Sequence, residues 1–383
     1  MFDGIVFVNR NRERKFSEIS RVAVLEGRIM KRYFEGLNTL RAIAALVVVV
    51  SHIELIKMEN KLSNYFDTVP DGHIGVVLFF VLSGFLITFL LVEEQNKYGK
   101  INFKNFYLRR ILRIWPLYYL ILFLSFVLFN PDLCLSTFVL CLSIFPNVAH
   151  ALHIGWKTSP QIWSIGVEEQ FYLFWPLLIT ILPRRIMIIS LIVFFIGYTI
   201  LPHVIGFLNI RTINNVELQT FIERFFFCSK FNCMSLGGIL GYMVATNNKY
   251  LAILYNKYLA YSSFFLVFIL WGLRFRIAYF TEEFYSLLFG IVILNVASNA
   301  KYGININSKL FDFLGRISFG IYMYHWMVIL VIIKLLVAAN IQNELVLNML
   351  LYSLVISITI LISWFSFGTF ENYFLNLKRK FEI

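Results

Sequence analysis

The sequence predicts an all-α fold, a polytopic bundle of membrane-spanning helices, and three observations carry that prediction. Hydrophobic residues make up 59% of 383 positions, aromatic residues 18%, and the mean hydropathy is +0.73. No soluble domain buries that much apolar surface, so the surrounding solvent must be lipid. Apolar runs of bilayer length recur along most of the chain, with no soluble stretch large enough for a second domain. The net charge of +12 gathers in the connections between those runs. That is the mark of basic loops facing anionic headgroups, not of a nucleic-acid partner.

Residues 1–34 are polar and basic, with Arg10, Arg12, Arg14, Lys15, Arg21, Arg28, Lys31 and Arg32. No apolar core follows the basic residues at once, so the segment is not a signal peptide. It is expected to be a cytoplasmic extension, with Met30 as an alternative start, ahead of a transmembrane domain over 35–383. Expected spans are 35–56, 74–92, 110–129, 162–182, 186–208, 221–245, 252–272, 279–298, 317–338 and 345–370. The apolar run 133–150 is bounded by Pro131 and interrupted at Pro146. If it dips in and returns, Arg184, Arg185, Lys249, Lys257, Lys301, Lys309, Arg316 and Lys378 to Lys380 all face inward. If it crosses, the positive-inside pattern inverts. About ten full spans plus one re-entrant or tilted segment are therefore expected, with both termini cytoplasmic. Arg211, Arg274, Arg276 and Lys334 stand against that balance without reversing it.

Cys134, Cys141, Cys228 and Cys233 all lie in apolar segments, which argues against a disulfide framework. His150 and His153, three apart, are a loop or helix-end pair rather than a metal site, and no metal is expected.

The first span carries the most informative stretch. Arg41 and His52 flank an uninterrupted apolar run, Ala42 to Val50. Eleven residues at about 100° each return to nearly the same helical face, roughly 16 Å further along the axis. Between them that face carries the small residues Ala44, Ala45 and Val48, which suggests a narrow groove. Ionisable groups at membrane depth usually line a site or pathway. A snorkelling arginine and a packed histidine form the plainer reading.

Four further motifs stand out. Ser83-Gly84 in the second span permits close helix approach, and the serine can bond a polar partner. Arg110 and Arg113 share a face at the start of the third span. Paired guanidiniums there suit a phosphate-bearing ligand arriving from the cytosol, or lipid headgroups. Trp163-Ser164-Ile165-Gly166-Val167-Glu168-Glu169 opens the fourth span, where carboxylates meet the favourable end of the helix dipole. Glu169 is read as fixing arginines of neighbouring spans. His325, well inside an apolar run, is read as structural.

Taken together, these segments resemble the membrane-bound acyltransferase-3 family, which includes O-antigen and peptidoglycan O-acetylases. The resemblance covers roughly 33–372. It rests on Arg41 with His52, Phe79 to Phe85, Arg110-x-x-Arg113, Trp163 to Glu168, Ser318 to Trp326 and Phe370-Glu371. Val77 departs from it, because many members carry an acidic residue there. Some members append an extracytoplasmic hydrolase-like domain, and none is expected in this sequence.

The resemblance implies transfer of an acyl group, commonly acetyl, from cytosolic acyl-CoA to a glycan hydroxyl beyond the membrane. Acyl-CoA would be a donor substrate and not a resident cofactor. Arg110, Arg113 and Ser83 would then bind the donor. His52 would act as general base or acyl carrier, Glu168 would orient that imidazole or steer the acceptor, and Arg41 would hold the donor or stabilise an oxyanion. A rival reading is a membrane exporter of a small metabolite or glycan precursor.

Overall fold

The computed structural model describes residues 36–62, 69–208, 216–299 and 303–381, so the basic segment 1–34 lies outside the described residues. Every regular element among the described residues is helical. In a bilayer each backbone N–H and C=O must be satisfied within its own segment, and the apolar helix does this. Among the described residues, seven helices are long and apolar enough to cross a membrane. They are α1 (Gly36–Glu59), α2 (Gly72–Tyr98), α3 (Phe103–Phe129), α7 (Met187–Leu208), α12 (Thr281–Ser298), α14 (Ser318–Ala338) and α15 (Glu344–Ser366). The last continues through a π turn, Phe367–Glu371, into α16 (Asn372–Arg379).

The expected ten uninterrupted spans are not all present, and each shortfall has a local cause. Residues 221–245 form two helices, α8 (Val216–Cys228) and α9 (Phe231–Ala245). The break falls at Ser229-Lys230. There Lys230 turns into the bundle to meet Glu283 at 3.2 Å and Glu282 at 3.5 Å, both at the start of α12. A buried ammonium needs such partners, and the ion pairs outweigh helix continuity. Residues 252–272 are split into α10 (Leu251–Leu254) and α11 (Lys257–Gly272). Asn256 causes this split, because its side chain caps α11 by accepting from the Tyr258 and Leu259 amides. α6 (Trp163–Ile181) has the length of a span, but Glu168, Glu169 and Gln170 dilute its hydropathy. The run 133–150 forms α4 (Leu135–Leu142) and α5 (Pro146–Ala151). At roughly 12 Å and 9 Å, neither crosses a ~30 Å hydrocarbon core.

Two apolar cores hold the helices. The larger joins α2, α3, α6, α9 and α12. The smaller joins α13 (Lys309–Arg316), α14 and α15. α1 belongs to both. Its Leu37, Leu40, Ala44 and Val48 enter the first core, while Ala42, Ala45, Val49, Ile53 and Ile56 enter the second. α1 is thus a shared wall, and its two polar ends are fixed by packing on both sides.

The closest helix pair is α2 with α9. A Cβ on Gly84 would collide with the Met234 carbonyl, and one on Gly237 with the Val81 carbonyl. With lipid outside, helices associate through this kind of backbone proximity. Polar cross-ties finish the packing: Trp175 Nε1 donates to Thr88 Oγ1 at 2.7 Å, and Tyr118 Oη donates to the Cys141 carbonyl at 2.7 Å. Gly237→Val is expected to cost about 1–3 kcal/mol or more, because the opposing atoms are backbone and cannot yield. A Cβ on Gly197 meets nothing, so Gly197→Ala is expected to leave stability unchanged or slightly raised. Thermal unfolding of the two purified variants in detergent checks the contrast.

Candidate active site

A cavity of about 850 Å³ opens between α2, α3, α6 and α14, and Arg41 of α1 enters its wall. That volume is within the range of small-molecule sites. Six basic side chains line it (Arg41, Lys97, Arg109, Arg110, Arg113 and Lys378) against three carboxylates, Glu93, Glu94 and Glu168. The excess positive charge favours an anionic occupant.

Sequence order explains which arginines are available. Arg109 is used structurally: it bridges Glu94 at 3.0 Å and donates to the Phe381 carbonyl at 2.9 Å. Arg110 lies one step round the helix, with its guanidinium over the rings of Tyr172 at 5.3 Å and Phe106 at 5.6 Å. Those contacts hold the plane by cation–π attraction. Its Nε is buried without a hydrogen-bond partner. Arg113, one turn further on, is exposed and lines the same cavity. The pair predicted from the i, i+3 spacing therefore faces one space.

Glu168 enters from α6 and accepts hydrogen bonds from Ser83 of α2 and Tyr172 one turn later in its own helix. Ser83 and Glu168 thus meet in the cavity wall. Both hydrogen bonds that Glu168 accepts come from these hydroxyls and none from His52, so of its two expected roles, orienting that imidazole or steering the acceptor, the first has no contact behind it. Glu169 points away and accepts from Trp115 Nε1 at 2.8 Å. Its expected arginine partner is replaced by an indole of the adjacent helix.

Arg41 donates to Asn38 Oδ1 at 3.3 Å, and Asn38 in turn donates to Asp312 at 2.8 Å. His52 lies at the other end of an unbroken α1, so the ~16 Å separation expected of a regular helix stands. The groove expected between them is closed. Ala44 and Val48 are covered by α2, where Gly75 lies against the Ala44 carbonyl and the Val48 side chain. Small residues on a membrane helix invite a neighbour more readily than they leave a channel.

His52 does not line the cavity, and it has a partner that sequence reading gave a merely structural role. Its Nδ1 is 2.7 Å from Nε2 of His325 on α14. The Trp326 ring stands edge-on to it, centroid to centroid 5.0 Å. Tyr322, one turn before His325, carries the chain of contacts back to the cavity. Its ring is 5.8 Å from that of His325 and 5.9 Å from that of Phe79. Both Tyr322 and Phe79 line the cavity. The Tyr322 hydroxyl is fixed by Ser164 Oγ at 2.7 Å and the Gln161 carbonyl at 3.0 Å. One ring layer therefore separates the basic cavity from the imidazole pair. The signal missed in the sequence was the i, i+3 spacing of Tyr322 and His325 on a span facing α1. His150, one of the pair singled out with His153, stacks on Trp163 with centroids 5.5 Å apart.

Comparison with known proteins fits this geometry. The family model described as an acyltransferase domain, Acyl_transf_3, matches residues 34–368. The O-acetyltransferase OatA of Staphylococcus aureus (strain NCTC 8325 / PS 47) is 32% identical over 222 residues, 52% of this chain and 35% of that protein. The peptidoglycan O-acetyltransferase OatA of Listeria monocytogenes is 32% identical over 164 residues, 39% of this chain and 24% of that protein. The matched region is thus about a third or less of each relative's length. No solved structure matches. The family model runs from α1 to the end of α15 and takes in every lining residue of the cavity except Lys378, and the chain belongs to the acyltransferase-3 family.

Proposed function

We propose that this chain is a membrane O-acetyltransferase. It moves an acetyl group from acetyl-CoA, entering at the Arg110 end, to a sugar hydroxyl of a cell-wall glycan reached from the His52 end. The observation that carries the reading is one cavity that begins among Arg110 and Arg113 and stops at the Tyr322 ring, with His325 and His52 directly behind it. The printed activities of the relatives, O-acetyl transfer in one and peptidoglycan O-acetyl transfer in the other, support the acyl group and the acceptor class. The basic loops support a cytosolic position for the Arg110 end.

In this reading Arg110 and Arg113 bind the phosphates of the donor by charge-assisted hydrogen bonds. Arg41, too far along α1 to act at His52, holds the donor's arm together with Ser83. Phe79 and Tyr322 shift to bring the thioester to the imidazole. The acceptor oxygen attacks the thioester carbon while its proton passes to His52 Nε2. The tetrahedral adduct then collapses, breaking the C–S bond, and the thiolate recovers the proton from the imidazolium. A neutral histidine suits this task, because a sugar hydroxyl is a poor nucleophile without a base. An export role is supported less well, since the cavity stops at an aromatic layer and a conduit has no need of a phosphate-binding arginine pair.

Two outcomes check the reading. His52→Ala is expected to abolish acetyl transfer by the full-length protein in membranes while insertion and yield are unchanged. Retained transfer would remove His52 from the mechanism. Arg110→Gln with Arg113→Gln is expected to weaken acetyl-CoA binding roughly 10- to 100-fold, the scale of one or two charge-assisted hydrogen bonds. Calorimetry on the purified protein measures this, and unchanged affinity would contradict the assignment.

A further inference from the structure

The histidine pair has a geometry more specific than contact. The two rings are nearly parallel, 8° apart, with centroids 5.0 Å apart and facing nitrogens 2.7 Å apart. The centroid distance exceeds the nitrogen distance by about two ring radii. The nitrogens therefore lie close to the line joining the centroids, and the rings meet edge to edge in a common plane. An sp² lone pair also lies in that plane, so this is a directed N–H···N hydrogen bond and not a stack. Between two neutral imidazoles one nitrogen must donate and the other accept, which couples the tautomers of both rings.

His325 decides the direction. It is fully buried on α14. With Nε2 committed to His52, its remaining nitrogen is Nδ1, the one next to the backbone. Nδ1 has no hydrogen-bond partner of good geometry, and in a continuous helix the backbone acceptors nearest to it are the carbonyls of Ile321 and Tyr322, four and three residues back. A bare Nδ1 lone pair facing carbonyl oxygens in an apolar core is the costlier arrangement, whereas an Nδ1–H pointing at them is attracted. A proton on Nδ1 leaves the His325 Nε2 as an acceptor. His52 must then carry its proton on Nδ1, with its Nε2 lone pair free.

We infer that His325 is a positioning residue that locks His52 in the Nδ1–H tautomer and so keeps its Nε2 available to take the acceptor's proton. The inference rests on the proposed role of His52. His325 touches neither substrate and acts only through its neighbour. A buried imidazole thereby does for His52 what a carboxylate does for a catalytic histidine elsewhere, without burying a second charge beside it.

The test compares His325→Gln with His325→Met in the full-length protein, both close to histidine in volume. The glutamine carbonyl can still accept from His52 Nδ1, whereas the thioether is a weak acceptor. Gln is expected to keep kcat within about tenfold. Met is expected to lower it about 100-fold, the lower range of general-base contributions, with KM for acetyl-CoA within about twofold. Equal behaviour of Gln and Met, with thermal unfolding unchanged in both, would reduce His325 to packing and overturn the inference. Solid-state 15N spectra of histidine-labelled protein in bilayers give an independent reading, with His52 assigned by its loss in His52→Ala. A protonated Nδ1 and bare Nε2 on His52 are expected in the parent and disturbed in the Met variant. A protonated Nε2 in the parent would overturn the inference without touching the role of His52. Full activity in His52→Ala would instead remove the proposed function, and the inference with it.

Discussion

Burial of α1 between two apolar cores is the constraint on which the rest of the structure depends. Lipid supplies no water to satisfy a stray polar group, so an ionisable side chain on this helix must find a partner or a cavity inside the protein. At one end Arg41 reaches a basic cavity. At the other His52 finds an imidazole. The distance between them is set by helix geometry and cannot be shortened by a side-chain movement. On the proposed mechanism the donor must bridge that gap itself, which a long, flexible molecule with phosphates at one end and a thioester at the other can do.

The cavity's chemistry divides along its length. Near the start of α3 it is cationic, with Arg110 held flat by two aromatic rings and one of its nitrogens unpaired. Further in, Ser83, Glu168 and Tyr172 satisfy one another, so that stretch presents hydrogen-bonding groups that are already committed. The inner limit is aromatic, Phe79 and Tyr322. Behind it is a neutral pair of imidazoles, which costs far less to desolvate than a charged dyad.

Much of this was legible in the sequence, and the failures share a cause. Composition and the recurrence of apolar runs identified a helical membrane bundle, and the i, i+3 spacing placed Arg110 and Arg113 on one face. These are properties of single helices, which periodicity reports directly. The breaks at Lys230 and Asn256 were missed because a hydropathy window averages over one buried ion pair or one capping side chain. The groove along Ala44 and Val48 was misread because small residues look alike whether they line a channel or admit a neighbouring helix. Only the glycines facing them on α2 distinguish the two. Glu168 was read as orienting the imidazole or steering the acceptor, and the hydroxyls that it meets, Ser83 and Tyr172, were not foreseen as its partners. The His52–His325 contact joins residues 273 positions apart, and no local pattern encodes such a meeting.

The most direct measurement is an electron cryomicroscopy map of the protein in a lipid nanodisc with a non-hydrolysable acetyl-CoA analogue. Density in the α2–α3–α6–α14 cavity is expected, with phosphates within hydrogen-bond distance of Arg110 and Arg113 and the acyl end displacing Tyr322 towards His52. A map with that cavity empty and the analogue bound elsewhere, or with its acyl end directed away from the imidazole pair, would contradict the link between this fold and acyl transfer.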